Sequence, residues 1–325
     1  MNINTVWKKI KRSSLTPIVT LLIFILVLFS ILAPNFMTKN NIMNVLRQVS
    51  MIGIAGCGMM TVLLAGGIDL SIGAMVAFVN ISCAYMMVNL GMHPVPACIL
   101  GVLIATAIGT INGILISYLD LMAIITTLCM MYVLRGLSYI ITGSQPIFGL
   151  DPNFKIIGQG YLWGIPIPVI IMVVIALIAG VLLKKTYIGR YFYYVGGNEE
   201  ATKLSGVNTR LIRCLSYSLS GFFTGIASIV WLSRTNSGQP QTANSFEFDV
   251  ICALVLGGIS TVGGEGGILG GIIGVIAIGF LNNGMTMVNL SDNYQMVVKG
   301  LVLLFAIILD RTRTSLRKKD KDEFA

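Results

Sequence analysis

The chain has 325 residues, of which 55% are hydrophobic and only 11% charged. A soluble domain carries about 25% charged residues, so a water-exposed globule is excluded and a polytopic membrane protein is expected. The net charge of +9 falls mainly in the two tails and one loop, which is a topology signal and not an affinity for nucleic acid.

In chain order, Lys8, Lys9, Lys11 and Arg12 precede a first apolar run at 15–33. Signal-peptide cleavage after Ala33 would put Ile31 where a small side chain is required, so the run reads as a retained helix. Further spans are expected at 49–66, 71–90, 94–118, 121–142, 166–183, 211–233, 249–263, 267–290 and 295–310. The expected fold is an all-α integral membrane protein of about ten transmembrane helices, since roughly 20 apolar residues cross a bilayer. Residues 1–14 form an N-terminal tail, 15–310 the membrane domain, and 311–325 a basic C-terminal tail.

Charge placement orients the spans. With the N-terminus in the cytoplasm, ten crossings return the C-terminus there. That side then holds the four N-terminal cations, six basic residues between Lys184 and Arg213, and six more from Arg311 to Lys321. The outer loops hold only Lys39, Arg47, Lys155 and Arg234. The positive-inside rule supports this orientation.

The second span runs into LLAGGIDLSIGAM (63–75), with Asp69 behind two glycines. One reading is a tight turn followed by a helix near Leu70 that Asp69 caps. The sharper one is a broken or re-entrant segment, because non-helical backbone at membrane depth survives only against protein or water. Either way Asp69 must face the protein interior or the inner interface. LVLGGISTVGGEGG (254–267) echoes the GGI motif and marks a second candidate break, with Glu265 as its acid. Gly270 and Gly274 have the spacing of a close helix-packing face.

Several chemistries are excluded. The six cysteines lie in or beside apolar stretches without CxxC spacing, and His93 is the only histidine, so neither disulfides nor a metal site is expected. No nucleophile–base constellation suggests an enzyme, and no catalytic residue is assigned. The absence of any Gly-Lys pair rules out a GxxxxGK[ST] phosphate loop in this chain.

The longest inward loop is 184–213. Within it, GGNEEATKLSG has the features of one short helix. Asn198 is the N-cap, Glu199 and Glu200 occupy the first turn, Glu199 and Lys203 stand four apart, and Gly206 ends it. Ala201 and Leu204 form a small apolar stripe. So brief a helix is marginal in water and needs an external support; that support is either the membrane surface or a partner protein.

The chain resembles the ribose-type permeases of bacterial ATP-binding-cassette importers, over about Pro34 to Asp310. The stretches that carry this are APNFMTKNNIMNVLRQVS (33–50), AGGIDLSIGAMVA (65–77), TLCMMYVLRG (127–136), YIGRYFYYVGGNEEATKLSGVN (187–208), 249–284 and YQMVVKGLVLLFAIILD (294–310). The resemblance implies a permease in the bacterial inner membrane, paired with a second permease (itself or a sister chain). It further implies an ATPase subunit that holds ATP and magnesium, and a soluble binding protein that delivers a monosaccharide. It makes 196–206 a coupling helix, with Gly197, Asn198, Glu199, Glu200, Ala201, Leu204, Ser205 and Gly206 against the ATPase. Asn244, Ser245 and Phe246, the start of AIITTL (123–128) and Glu265 depart from the family pattern.

Polar residues inside the spans are sparse. Asp69, Asn112, Arg135, Asn282 and Asn283 are the translocation-path candidates, although interhelix hydrogen bonding is the commoner role of such groups. A pair between Asp69 and Arg135 is also conceivable. The outer loops at 143–165 and 234–248 carry Gln145, Tyr161, Trp163, Gln239 and Glu247, and Gln239 and Glu247 are the docking candidates for the binding protein. The alternative function, an ion-coupled secondary transporter of a small polar solute, would need ionisable residues along its path; Asp69, Arg135, Glu265 and Lys299 are available.

Overall fold

The computed structural model describes residues 16–322, the side chains as far as Ile308. The expected N-terminal tail, 1–14, lies outside the described residues. The helices are α1 (Thr16–Leu32), α2 (Lys39–Leu64), α3 (Ile72–Val88), α4 (Pro94–Ser117), α5 (Ala123–Thr142), the short α6 (Lys155–Gln159), α7 (Ile167–Lys185), α8 (Tyr187–Gly197), α9 (Glu199–Leu204), α10 (Thr209–Thr235), α11 (Phe246–Leu256), α12 (Ile268–Met287) and α13 (Asp292–Asp322). A two-stranded hairpin, Tyr161–Leu162 with Ile165–Pro166, turns through Trp163 and Gly164, both in left-handed conformation.

Among the described residues, six helices (α2, α4, α5, α7, α10 and α12) are long and apolar enough to cross a membrane. This is a multi-pass all-α membrane protein. α1 and α3 are apolar but have 17 residues each, about 25 Å at 1.5 Å per residue against a hydrocarbon core of about 30 Å. α11 has 11 residues, about 16 Å, or half a bilayer. The ten expected spans thus become six full-length helices, the shorter α1, α3 and α11, and the long α13. Non-helical backbone at 65–71, 236–245 and 257–267 is what shortens α3 and α11. Other boundaries move as well, α2 beginning at Lys39 where the span was expected from 49. The expected loop helix at 198–206 is preceded by a second helix, α8, and the last helix runs on to Asp322 where a tail was expected. No glycine or proline interrupts Leu301–Asp322 to stop it.

α2 is the hub. Every residue from Val49 to Leu64 is buried, with α10, α12, α7 and α11 packed around it. α10 lies closest to α4, and small residues allow it. A side-chain carbon added at Gly113 would meet the Cys214 backbone at 2.7 Å, and one at Gly109 would meet Gly221 at 3.0 Å. Van der Waals contact and not water exclusion drives helix association in lipid, so such close approach carries the packing. Gly270 and Gly274, the expected packing pair, lie against the Gly257 and Ala253 backbone at the end of α11. The outer faces of α1, α5, α7 and α13 expose large apolar residues such as Ile31, Ile140, Leu177 and Leu301, as a lipid-facing ring does.

The two ends of the bundle are built differently. At one end α8 meets the end of α2 and the 257–267 loop, where Gly264 N donates to Leu64 O at 3.0 Å, and α9 packs on α8 and α10. At the opposite end α6 docks on the end of α10, with Gly158 N donating to Ser233 Oγ at 2.7 Å. Arg47 lies there over the Tyr161 ring, 4.4 Å from its centroid.

If the α4–α10 seam holds the bundle together, Gly113→Leu will lower the thermal midpoint of the detergent-solubilised protein by several degrees. Overpacking of this kind costs about 1–3 kcal/mol. Gly136→Leu, at a helical position with nothing within 4 Å, will leave the midpoint unchanged. Equal shifts in the two variants would contradict the seam.

Candidate functional site

The site begins at the break after α2. Gly66 takes a φ of +81°, and the chain then runs through irregular, non-helical backbone to a turn at Leu70–Ser71. Asp69 is fully buried in this segment. Its Oδ1 accepts from Ser71 N at 3.0 Å and Ser71 Oγ at 2.6 Å, and its Oδ2 accepts from Ser220 Oγ of α10 at 3.1 Å. Asn112 Nδ2 of α4 donates to Ser71 Oγ at 3.0 Å. Thr127 Oγ1 of α5 accepts the Leu70 N–H at 3.1 Å, and Tyr217 Oη donates to Ile68 O at 3.4 Å. Asp69 therefore closes an Asx turn before the helix, and α3 starts later than expected, at Ile72. Of the two readings of the motif, the broken segment against a protein interior is the one observed. Below it, Gly66, Gly67, Arg213, Ser216 and Tyr217 border a cavity of about 200 Å³.

The second unwound stretch, 236–245, lies along α3. Gly238 packs on Ala84, and Glu247, at the start of α11, packs on Gly73. Three non-glycine residues, Asn236, Ala243 and Ser245, have positive φ. Its carbonyls lack helical partners, and Arg135 of α5 supplies donors: Nη1 reaches Pro240 O at 2.8 Å and Thr242 O at 2.9 Å, and Nη2 reaches Ala243 O at 3.5 Å. The Asp69–Arg135 pair is therefore not formed; each group is committed to a different unwound segment. Of the three departures from the family pattern, Asn244 and Ser245 lie within the second segment and Phe246 begins the helix that follows it.

The remaining path candidates fall elsewhere. Asn283 exchanges two amide hydrogen bonds with Asn41 of α2, at 2.8 and 2.9 Å. Asn282 Nδ2 donates to Asp249 Oδ2 at 3.3 Å, and Asp249 forms an ion pair with Lys299 at 2.9 Å. These are interhelix ties joining α2, α11, α12 and α13, separate from the cluster around Asp69 and Asn112.

Docking through Glu247 is corrected by its position. It is only 5% exposed, because the α11 N-terminus enters the bundle beside α3 instead of standing at the surface. Gln239 is half-buried, its amide donating to Ser237 Oγ at 2.9 Å. Exposed polar and aromatic groups at that end include Gln145, Phe148, Tyr161 and Trp163.

At the opposite end, α9 forms over Glu199–Leu204 as the cap signals predict. Asn198 Oδ1 accepts the Ala201 N–H at 2.9 Å, and Gly206 ends the helix with a φ of +84°. Glu199 pairs with Arg213 of α10 and not with Lys203 as the spacing suggested. Thr202 is the side chain that faces inward, while Ala201, Glu200 and Ser205 are exposed and Leu204 is 89% exposed. The support for this short helix comes from Thr202, the Arg213 pair and α8. Tyr193 of α8 donates from Oη to Gly266 O at 3.2 Å, and burial pushes its phenol up so that it remains a neutral donor. A cleft of about 630 Å³ between α8 and α9 is bordered by Tyr191, Tyr194, Ala201, Ser205 and Val207.

Ser71, Thr127, Tyr217, Ser220, Arg213 and Asp249 are the groups that sequence reading missed. A signal for three of them exists: Arg213, Tyr217 and Ser220, with Thr224 and Ser228, recur every three or four residues, a polar stripe on one face of an otherwise apolar span.

Arg135→Gln is predicted to strip donors from the 236–245 carbonyls and to destabilise the solubilised protein by roughly 1–3 kcal/mol per carbonyl left bare. Arg135→Lys, which keeps three donors, will fall between it and the unaltered protein in a thermal melt. Identical melts for all three would remove Arg135 from this role.

Residues 41–307 match the family described as "Branched-chain amino acid transport system / permease component". The chain is 45% identical to the ribose import permease protein of Bacillus subtilis (strain 168) over 296 residues, covering 90% of this chain and 92% of the relative. It is 39% identical to the ribose import permease protein of Escherichia coli (strain K12), over 90% and 92%. To the L-arabinose transport system permease protein of the same strain it is 37% identical, over 89% and 88%. No solved structure matches the chain. With a match that spans the unwound segments, α9 and every long helix, the chain belongs to this permease family, among the ribose-type permeases of ATP-binding-cassette importers.

Proposed function

We propose that this sugar-importer permease subunit translocates ribose or a closely related monosaccharide, delivered by a soluble binding protein and driven by an ATPase on a separate subunit. The observation that carries the coupling part is α9. It is a capped, six-residue helix whose apolar Leu204 projects from the bundle end where both GGI loops converge. A large apolar side chain left almost fully in solvent at the tip of a braced helix fits a cleft in another protein. Gly197, Asn198, Glu200, Ala201, Leu204, Ser205 and Gly206 surround that tip. In this reading Glu199 braces the helix from behind.

The α9 end is then cytoplasmic, as the basic residues between Lys184 and Arg213 favour. The chain crosses the bacterial inner membrane about ten times if the shorter helices and their unwound extensions complete the crossings, and both termini are cytoplasmic. ATP and magnesium are bound by the partner ATPase, since this chain has no phosphate loop. A second permease, identical or a sister chain, completes the membrane unit. The binding protein docks on the opposite face, near Gln145, Tyr161 and Trp163.

Asp69 and Asn112, with Ser71, Thr127 and Ser220 around them, form the polar stretch of the path. Asn112 Oδ1 is buried without a partner, which leaves an acceptor for a sugar hydroxyl. Asn282 and Asn283 belong to the scaffold in this view. The ion-coupled alternative finds less support, because Arg135 is bonded to carbonyls and Lys299 is paired with Asp249, which leaves no chain of ionisable groups across the bundle.

Two measurements test the reading. Leu204→Ala will weaken ATPase binding roughly tenfold or more if the side chain is buried in the partner, since that burial is worth about 1.5–3 kcal/mol. Gly206→Pro cannot adopt the positive φ and will also weaken binding while membrane insertion continues. Pull-downs in which both variants retain full ATPase binding would remove α9 from the interface. Calorimetry of pentoses, hexoses and polyols against the co-encoded binding protein tests the substrate, with ribose-class pentoses expected to bind most tightly.

A further inference from the structure

Three groups on one face of α10 link features that are far apart in the sequence. Arg213, Tyr217 and Ser220 are spaced by four and three residues and therefore point the same way. Arg213 bonds Glu199 of α9. Tyr217 bonds Ile68 O, and Ser220 bonds Asp69. The stripe thus runs from the coupling helix to the buried carboxylate within two turns.

Space around these groups is uneven. Tyr217 is 1% exposed, and its hydroxyl presses against Gly67, where an added side-chain carbon would lie 3.2 Å from the phenol Cζ. Yet Arg213, Ser216, Tyr217 and Gly66–Gly67 all border the cavity of about 200 Å³. The stripe is bonded at its ends and has free volume along its side. The α2–α10 contact behind it is tight, with Thr61 Oγ1 donating to Ser216 O at 3.0 Å. Motion of α9 can therefore displace the Arg213 and Tyr217 side chains toward the void without repacking the hub. The Glu199–Arg213 pair is also suited to a changing contact. Its side chains are 33% and 34% exposed, so it braces α9 from a position that water can reach.

We propose that Arg213 and Tyr217 are positioning residues for transport: they carry movement of α9 to the unwound segment 65–71 and thereby set the conformation of the Asp69 cluster. This rests on the reading of α9 as the ATPase contact. A competing route exists through the glycine junction, where Gly196 and Gly264 meet the Leu64 carbonyl. That junction ties α8 to the end of α2 through close backbone contacts, with a cavity of about 470 Å³ beside it that Tyr193 and Gly264 border, so the test below must separate the two routes.

The test uses the complete transporter in proteoliposomes, with ATPase and binding protein, and reads ATPase co-purification, ATP hydrolysis and sugar uptake together. Arg213→Gln is expected to retain ATPase co-purification and the KM for sugar-loaded binding protein. Uptake per ATP hydrolysed should fall about fivefold or more, the lower range of coupling between distinct sites. Arg213→Lys should restore coupling in part, and exchanging the charges as Glu199→Arg with Arg213→Glu should exceed either single change. Tyr217→Phe, which keeps the ring and loses the bond to Ile68, should uncouple in the same way. It also carries the test if Arg213→Gln does not insert. Full coupling in Arg213→Gln or in Tyr217→Phe overturns the proposal and leaves the glycine junction as the route; so does a charge exchange no better than the weaker single variant. Failure of the unaltered chain to bind the ATPase would overturn the α9 reading itself, an outcome distinct from normal ATPase binding with unchanged coupling.

Discussion

Backbone amides and carbonyls inside a bilayer have no water to bond, and the whole arrangement follows from how this chain meets that constraint. Most of it does so with helices. Of the three stretches that do not, 65–71 and 236–245 carry residues buried deep in the bundle, Asp69 and Ser237 among them. Each is served by side chains sent from neighbouring helices. Thr127, Tyr217 and Asp69 itself serve the first, and the Arg135 guanidinium serves the second. Arg135 is therefore better understood as a replacement for missing helical N–H groups than as a charge awaiting a counter-ion. The costs of a buried cation and of bare carbonyls offset one another only because they are brought together.

Glycine sets how near these pieces approach. At the α9 end, Gly66, Gly196, Gly197, Gly263 and Gly264 bring three backbone segments into mutual contact. Gly263 and Gly264 take positive φ, and Gly264 donates its N–H to the end of α2. A side chain at this junction would separate α8 from the helix it leans on. The same economy of size lets α4 and α10 touch along Gly109, Gly113 and Gly221. A transporter must be stiff where force enters and yielding where solute passes. Here the glycine contacts are close, and the cavity beside Tyr217 is open.

Polar groups in the core are distributed by function and not merely by scarcity. The Asn41–Asn283 amide pair and the Asp249–Lys299–Asn282 group tie neighbouring helices together, while the groups around Asp69 anchor an unwound segment. Each of the two larger clusters leaves one buried amide oxygen without a partner, Asn282 Oδ1 in the first and Asn112 Oδ1 in the second.

Much of this was legible in the chain itself. Apolar run lengths located the helices, because a bilayer imposes a length on every crossing. The cap residues Asn198 and Gly206 located α9, because capping is a local backbone effect. GGI motifs marked two of the breaks, 65–71 and 257–267, since glycine is the residue that tolerates such turns; the break at 236–245 carries no such motif. What tertiary structure alone decided is which polar groups meet. Arg135 joins carbonyls 105 or more positions away, Glu199 turns to Arg213 instead of Lys203, and Glu247 is buried where a loop position suggested exposure. Spacing along a chain predicts neighbours only within a turn or two of helix; beyond that, partners are set by how whole helices pack.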